Sequence, residues 1–210
     1  MIYADNAATT KMSETAISAM LPCMEEVYGN PSSLYAFAQD AKEKLEESRA
    51  KVAEVLGCEP REIYFTSGGS ESDNWAILGG AEAGKRRGRH VISSLLEHDA
   101  VRRSLDELEA RGFEVTRLKP EKDGSIAPEA VRAALREDTI LVSLMLVNNE
   151  TGGVTDIGAV AKLLKQENSR ALLHTDAVQG FLKVPFSAKT LGADLISVSG
   201  HKIHAPKGVG

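Results

Sequence analysis

From Ser13 onward, apolar residues recur every three to four positions, at Ala16, Ile17, Met20, Leu21, Met24, Val27 and Tyr28, the spacing of one helix face. Ser13 offers the side-chain oxygen that opens such a helix, and Gly29 with Pro31 in "GNPSS" stops it. A second stripe through Phe37, Ala41, Leu45, Val52, Val55 and Leu56 predicts a second helix, with Gly57 placed to close it. Beyond Gly57 the rhythm changes. Short apolar runs, "EIYFTS", "HVISSLL", "FEVTRL", "TILVSLMLV", "ALLHTD" and "DLISVS", read as strands. Between them lie the amphipathic stretches "NWAILGGAEAG", "DAVRRSLDELEARG", "PEAVRAALRE" and "DIGAVAKLLKQEN", which read as helices. The strand runs are nearly continuous in apolar residues, as in strands covered on both faces. The expected class is α/β, with a mostly parallel sheet between two helical layers. "PKGVG" reads as the turn into one further strand.

Composition narrows this only slightly. With 210 residues, 42% hydrophobic and 26% charged, the chain has the make-up of a globular protein able to bury a core. The net charge is -5, and the densest basic run, "GKRRGRH", falls between a helix and a strand, so a solvated loop is expected there and no nucleic-acid surface. Cys23 and Cys58 lack CxxC spacing, which argues against a disulfide scaffold or a zinc site, so no metal is expected. The start "MIYADNAATT" has neither a basic region nor an apolar run, and no stretch is long enough to span a bilayer. A cytoplasmic protein without membrane attachment is expected.

The candidate chemistry lies at the carboxyl ends of the expected strands, where open parallel sheets bind ligands. "TSGGSES" follows the first run; its glycine pair lets the amides of Gly69 and Ser70 approach an anion at a helix N-terminus. It is neither a phosphate-binding loop with Lys-Ser/Thr nor GxGxxG, and a tight turn with a serine cap is the alternative. Glu97 and His98 follow "HVISSLL", where the imidazole either stacks on a planar ring or caps a helix. Asn149 and Gln179 are amides able to bond a ring oxygen or a backbone group. Asp176 ends a buried strand and needs a partner, either a protonated heterocyclic nitrogen or a cap or salt bridge. Lys202, between His201 and His204 and three residues after Ser199, is placed where a partly desolvated amine forms a Schiff base with a carbonyl. Phosphate cradle, carboxylate, imidazole and lysine together describe a pyridoxal phosphate site, with Ser199 and His201 contacting the phosphate or buttressing the loop.

On the motifs "GNPSS", "EIYFTSGGSESDN", Glu97-His98, "VNNETG", "HTDAVQ" and "SGHKIHAPKG", the chain resembles the class V aminotransferases of fold type I, and among them the NifS/IscS-type cysteine desulfurases. The resemblance runs from Tyr3 to Gly210. It implies a three-layer large domain of the pyridoxal-phosphate-dependent transferases, with residues 1 to 12 as an N-terminal arm, 13 to 210 as the cofactor-binding domain, incomplete at its C-terminal end, and the small domain absent. It implies the following roles: Lys202 as the Schiff-base lysine, Asp176 on the pyridine nitrogen and His98 on the ring face. Gln179 and Asn149 would lie near the phenolic oxygen and substrate carboxylate, and Gly69, Ser70, Ser199 and His201 at the phosphate. The implied reaction takes sulfur from L-cysteine as a persulfide, leaving alanine, for iron–sulfur cluster assembly or other sulfur transfer. A homodimer and a sulfur-acceptor or scaffold partner are implied with it.

The sequence departs from the family pattern at Ser70, where threonine is frequent, at Ala205, where glycine is usual, and at Tyr35 and Ala38, in place of His and Gly. If position 205 needs a positive φ, alanine is strained there. The family's substrate-carboxylate arginine and persulfide cysteine are expected outside this chain, and Cys23 and Cys58 are expected to be core or bystander thiols. The alternatives are another class V activity, such as selenocysteine lyase, and a truncated, non-catalytic cofactor-binding or partner protein.

Overall fold

The computed structural model describes residues 2–210. The first helix, α1 (Glu14–Glu25), is capped by Ser13, whose hydroxyl oxygen accepts the Ala16 N–H at 3.1 Å. Helix α2 (Ala36–Leu56) ends at Gly57, which takes the left-handed conformation at φ 73°. After a 3-10 turn at Pro60–Glu62 come α3 (Gly69–Asn74), a π-helical turn (Trp75–Gly79) and α4 (Gly80–Gly84), three consecutive pieces of one helical run. Strand β1 (His90–Ser94), helix α5 (Asp99–Ala110), strand β2 (Glu114–Leu118), helix α6 (Pro128–Ala134) and strand β3 (Thr139–Ser143) follow. The order is completed by α7 (Ile157–Gln166), β4 (Leu172–Asp176), α8 (Ala188–Leu191) and β5 (Leu195–Ser197).

The strands form one sheet in the order β2-β1-β3-β4-β5, every pairing parallel. Side chains alternate between its faces. Val91 and Leu141 pack with Ile77, Val101, Leu105 and Leu108 on one face. Ile92 and Val142, their neighbours in sequence, pack with Val131, Ile157, Val160 and Leu164 on the other. The expected sheet with helices on both faces is therefore observed. Strand order reverses between β1 and β3, so the connections leaving their carboxyl ends run in opposite directions, the place where such sheets form a crevice.

Several expectations need correction. "EIYFTS" is not a strand; its residue Thr66 exchanges backbone hydrogen bonds with Gly210, at 2.8 and 3.0 Å, and no strand among the described residues pairs with the segment. The run "TILVSLMLV" is a strand only to Ser143, because the chain then bends to bridge Val147 with Val154. Helix α6 stops at Ala134, short of the expected glutamate, since Leu135 turns to an extended conformation. The helix expected from Asn74 begins five residues earlier, at Gly69. No residue of α1 is buried, and its apolar stripe is only partly covered: Met24 is 63% exposed, while Tyr28 just beyond the helix packs edge-on against Phe37.

Candidate active site

Gly68 opens the crevice with φ 153° and ψ 176°, a conformation essentially restricted to glycine, and turns the chain into α3. Gly69 follows at the helix start. A Cβ there would lie 2.8 Å from Val178 Cγ2 and 3.4 Å from Ser199 Cβ, so the loop after β4 closes on the backbone itself. The result is a cavity of about 260 Å³ lined by Gly69, Ser70, His98, Asn149, Asp176 and Lys202, with Gln179, Ser199 and His201 also on its wall. All nine residues singled out from the sequence meet there. A larger groove of about 940 Å³ lies elsewhere, along the outer edge of β5.

The local chemistry of each residue follows from its place. His98 caps α5, its Nδ1 accepting the Ala100 N–H at 3.2 Å. That bond fixes the ring and leaves the neutral imidazole's proton on Nε2. Capping is observed, and it leaves the ring on the cavity wall. Asp176, 5% exposed, accepts the Val178 N–H at 2.9 Å through Oδ1, and no group among the described residues bonds Oδ2. Burial pushes its carboxyl pKa up, against the pull of that amide and of His98 and Lys202. Gln179 donates from Nε2 to the Ala7 carbonyl at 2.7 Å and accepts at Oε1 from Lys183 Nζ at 2.9 Å. Asn149 reaches the cavity because its neighbour Asn148 holds the loop, bonding the Leu96 carbonyl and the amides of Glu150 and Thr151.

Lys202 lies in a 3-10 turn after β5. Its amine donates to the carbonyls of Ala7 and Ala8, at 2.5 and 2.9 Å. Burial, helped by the charge of Lys183, draws its pKa down, while Asp176 and Asp5 oppose this. The N-terminal arm is thus bonded to the lysine loop along its length. Thr10 donates from both N and Oγ1 to the His201 carbonyl, His201 Nδ1 pairs with Thr9 Oγ1 at 3.0 Å, and Ser13 N–H meets the His204 carbonyl. Ala205 carries no positive φ, so the strain expected at that position is absent; His204 takes the left-handed conformation instead, at φ 62°, its N–H held by Thr10 Oγ1. Cys23 and Cys58 are half-buried and line no part of this cavity.

Three groups of the site escaped the sequence reading. Asp73 lines the cavity at 1% exposure. It stands four residues after Gly69, and the signal was an acid at the head of the stripe Asp73, Ile77, Ala81. Glu97, named only as a strand-end group, bonds Ser94 Oγ at 2.6 Å and the Met145 N–H at 3.1 Å, tying the ends of β1 and β3 together. The arm carbonyls of Ala7 and Ala8 leave no trace in side-chain chemistry.

These features accord with what is known of other proteins. The aminotransferase class-V family model matches residues 2–210. A cysteine desulfurase IscS of Methanosarcina thermophila is 46% identical over 209 residues, which are 100% of this chain and 51% of that protein. A solved NifS-like protein superposes with a TM-score of 0.96 at 39% identity, covering 99% of this chain and 57% of that one. A structure described as SspA in complex with cysteine superposes with a TM-score of 0.92 at 34% identity, over 100% of this chain and 60% of that one. The chain spans about half the length of the curated relatives it matches.

Proposed function

The chain belongs to the aminotransferase class-V family, and on that footing we propose that it holds pyridoxal phosphate on Lys202 and serves a cysteine desulfurase. The observation that carries this reading is the convergence of an amine, a buried carboxylate, an imidazole and a glycine-built cradle on one cavity. The residues present fit the cofactor: the Asp176 oxygen without a partner suits a ring N–H, and the wall around Gly69 leaves room for backbone but not for a Cβ.

When bound, pyridoxal phosphate supplies an electron sink for bonds broken at the substrate's α- and β-carbons. The chain's residues supply the setting. Gly69, Ser70, Ser199 and His201 would take the phosphate, the first two through backbone amides at the start of α3. Asp176 would hold the proton of the ring nitrogen. His98, its ring fixed by the bond to Ala100, would cover one face of the ring and exclude water from it. Gln179 and Asn149 would orient the phenolic oxygen and the incoming carboxylate. The lowered pKa of Lys202 gives the amine a larger uncharged fraction, the form that attacks a carbonyl. L-Cysteine is the proposed substrate, supported by the names of the relatives and by the neighbour solved with cysteine. A homodimer acting in the cytoplasm on a sulfur-acceptor protein, toward iron–sulfur assembly, completes the reading.

The test is chemical. Protein mixed with pyridoxal phosphate and reduced with borohydride should carry the label on the peptide that contains Lys202, and Lys202→Ala should abolish it. Label on another lysine, or an undiminished adduct in the variant, overturns the assignment.

A further inference from the structure

Lys183 belongs to none of the roles described above, yet its side chain is bonded into the site. Its Nζ donates to Gln179 Oε1 at 2.9 Å. Gln179 in turn donates from Nε2 to the Ala7 carbonyl at 2.7 Å, and the same carbonyl accepts from Lys202 Nζ at 2.5 Å. A continuous path of hydrogen bonds therefore joins the two lysines through one amide side chain and one backbone oxygen.

We propose that Lys183 is a positioning residue for the lysine site: with the Ala7 carbonyl it holds the Gln179 amide in one orientation, and it places a second positive charge beside Lys202. The inference rests on Lys202 as the attachment point. Two physical arguments carry it. A primary amide has a donor end and an acceptor end of nearly equal shape. With Oε1 occupied by the ammonium of Lys183, the NH2 end must turn toward Ala7 and the cavity. One of its two N–H bonds meets Ala7, and the other remains for an oxygen of a bound ring. The Ala7 carbonyl, which only accepts, favours the same orientation, and Lys183 reinforces it by donating to Oε1.

The second argument is electrostatic. An ammonium near Lys202 disfavours a second ammonium and so favours the uncharged amine. The charged and titratable groups around Lys202 are His201 on its own turn, Asp176 at the end of β4, Asp73 on α3, His98 at the start of α5, Asp5 on the arm, and Lys183. Asp176 and Asp5 hold the proton on; burial and Lys183 act against it. His201 is lowered in the same way, by burial first and then by Lys202, Lys207 and Lys183. Lys183 itself is lowered by partial burial. The residue is exposed, so its field is open to screening by salt.

The experiment compares the parent protein with Lys183→Met and Lys183→Arg. Lysine amines are 13C-methylated reductively, and Lys202 is titrated by NMR without cofactor; the rate of pyridoxal phosphate capture is followed by absorbance against pH. In Lys183→Met the Lys202 midpoint should rise by about half to one pH unit, and capture at neutral pH should slow about three- to tenfold. Lys183→Arg, which keeps charge and donor, should follow the parent. Raised salt should narrow the difference between the Lys202 midpoints of the parent and the Met variant. An unshifted midpoint in Lys183→Met, or a shift in Lys183→Arg as large as in Lys183→Met, overturns the proposal. The ligand-free titration stands even if the parent captures no cofactor, an outcome that would count against the attachment at Lys202 instead.

Discussion

Glu97 and Asp73 are acids that the fold would be more stable without. Each is almost fully buried, each keeps one oxygen without a hydrogen-bond partner, and burial pushes each pKa up to about 8. His174, 3.6 Å from Asp73, brings no compensating charge, because burial lowers its own pKa to about 3; its nitrogens are shared with Ser143 and Ser197. A folded carboxyl that keeps its proton to about pH 8, where the unfolded one loses it near 4, makes the folded state bind more protons, so stability falls as pH rises across that interval. Neutral His174 acts in the opposite sense between about pH 3 and 6.5, where the unfolded imidazole takes up a proton and the folded one does not. Between about pH 6.5 and 8 the acids act unopposed by it. Thermal unfolding should therefore show Tm declining over that window, and Glu97→Gln, which keeps the acceptor for Ser94 and Met145, should flatten the decline and raise stability at pH 8 by on the order of a few kcal/mol. A steeper decline in the variant would contradict this. Lys202, Asp176 and His98 were legible because their types are costly or unusual at strand ends; Asp73 was not, because an acid in "SESDN" looks like a solvated helix start until its face is known.

The helical run from Gly69 to Gly84 shows why boundaries were harder to read than identities. Its apolar portion was evident, but its first turn is glycine and polar residues, which propensity assigns to a loop. Packing overrides propensity there: Asp73 and Ile77 face the sheet, and the π-turn at Trp75–Gly79 shifts the helical phase midway. The strands of the sheet were legible from their continuous apolar runs. "EIYFTS" was misread because a strand is defined by its neighbours, and that run lacks a flanking ladder among the described residues. The tight start of α3 gives a direct test. Gly69→Ala has permitted backbone angles but sets its methyl against Val178 and Ser199. The cradle must widen to admit it. Affinity for pyridoxal phosphate, measured by equilibrium dialysis, should fall about tenfold, roughly 1.4 kcal/mol, while Tm changes little; unchanged affinity would remove Gly69 from the phosphate cradle.

Across the molecule, one side of the sheet is finished and the other is open. Strand β2 carries salt-bridged Arg117, and its Glu114 pairs with Arg136, charges that discourage edge pairing. Among the described residues strand β5 pairs only with β4, and between its other edge and the Thr66–Gly210 contact runs the groove of about 940 Å³, lined by Leu195, Ile196, Tyr64 and Trp75. Helix α1 adds Ile17, Leu21 and Met24 to the exposed apolar surface. Unpaired strand edges and apolar surface of this kind favour self-association. Residue Trp75 is the chain's single tryptophan, and it is 61% exposed on the groove wall. The molecule thus carries its own optical probe on the wall of that groove. Its emission should be that of a water-exposed indole in dilute protein and should shift to shorter wavelength as concentration rises and the groove becomes covered, in step with the mass seen by sedimentation. An emission maximum that stays fixed while the mass increases would mean that association uses another face and leaves the sheet's edge in water.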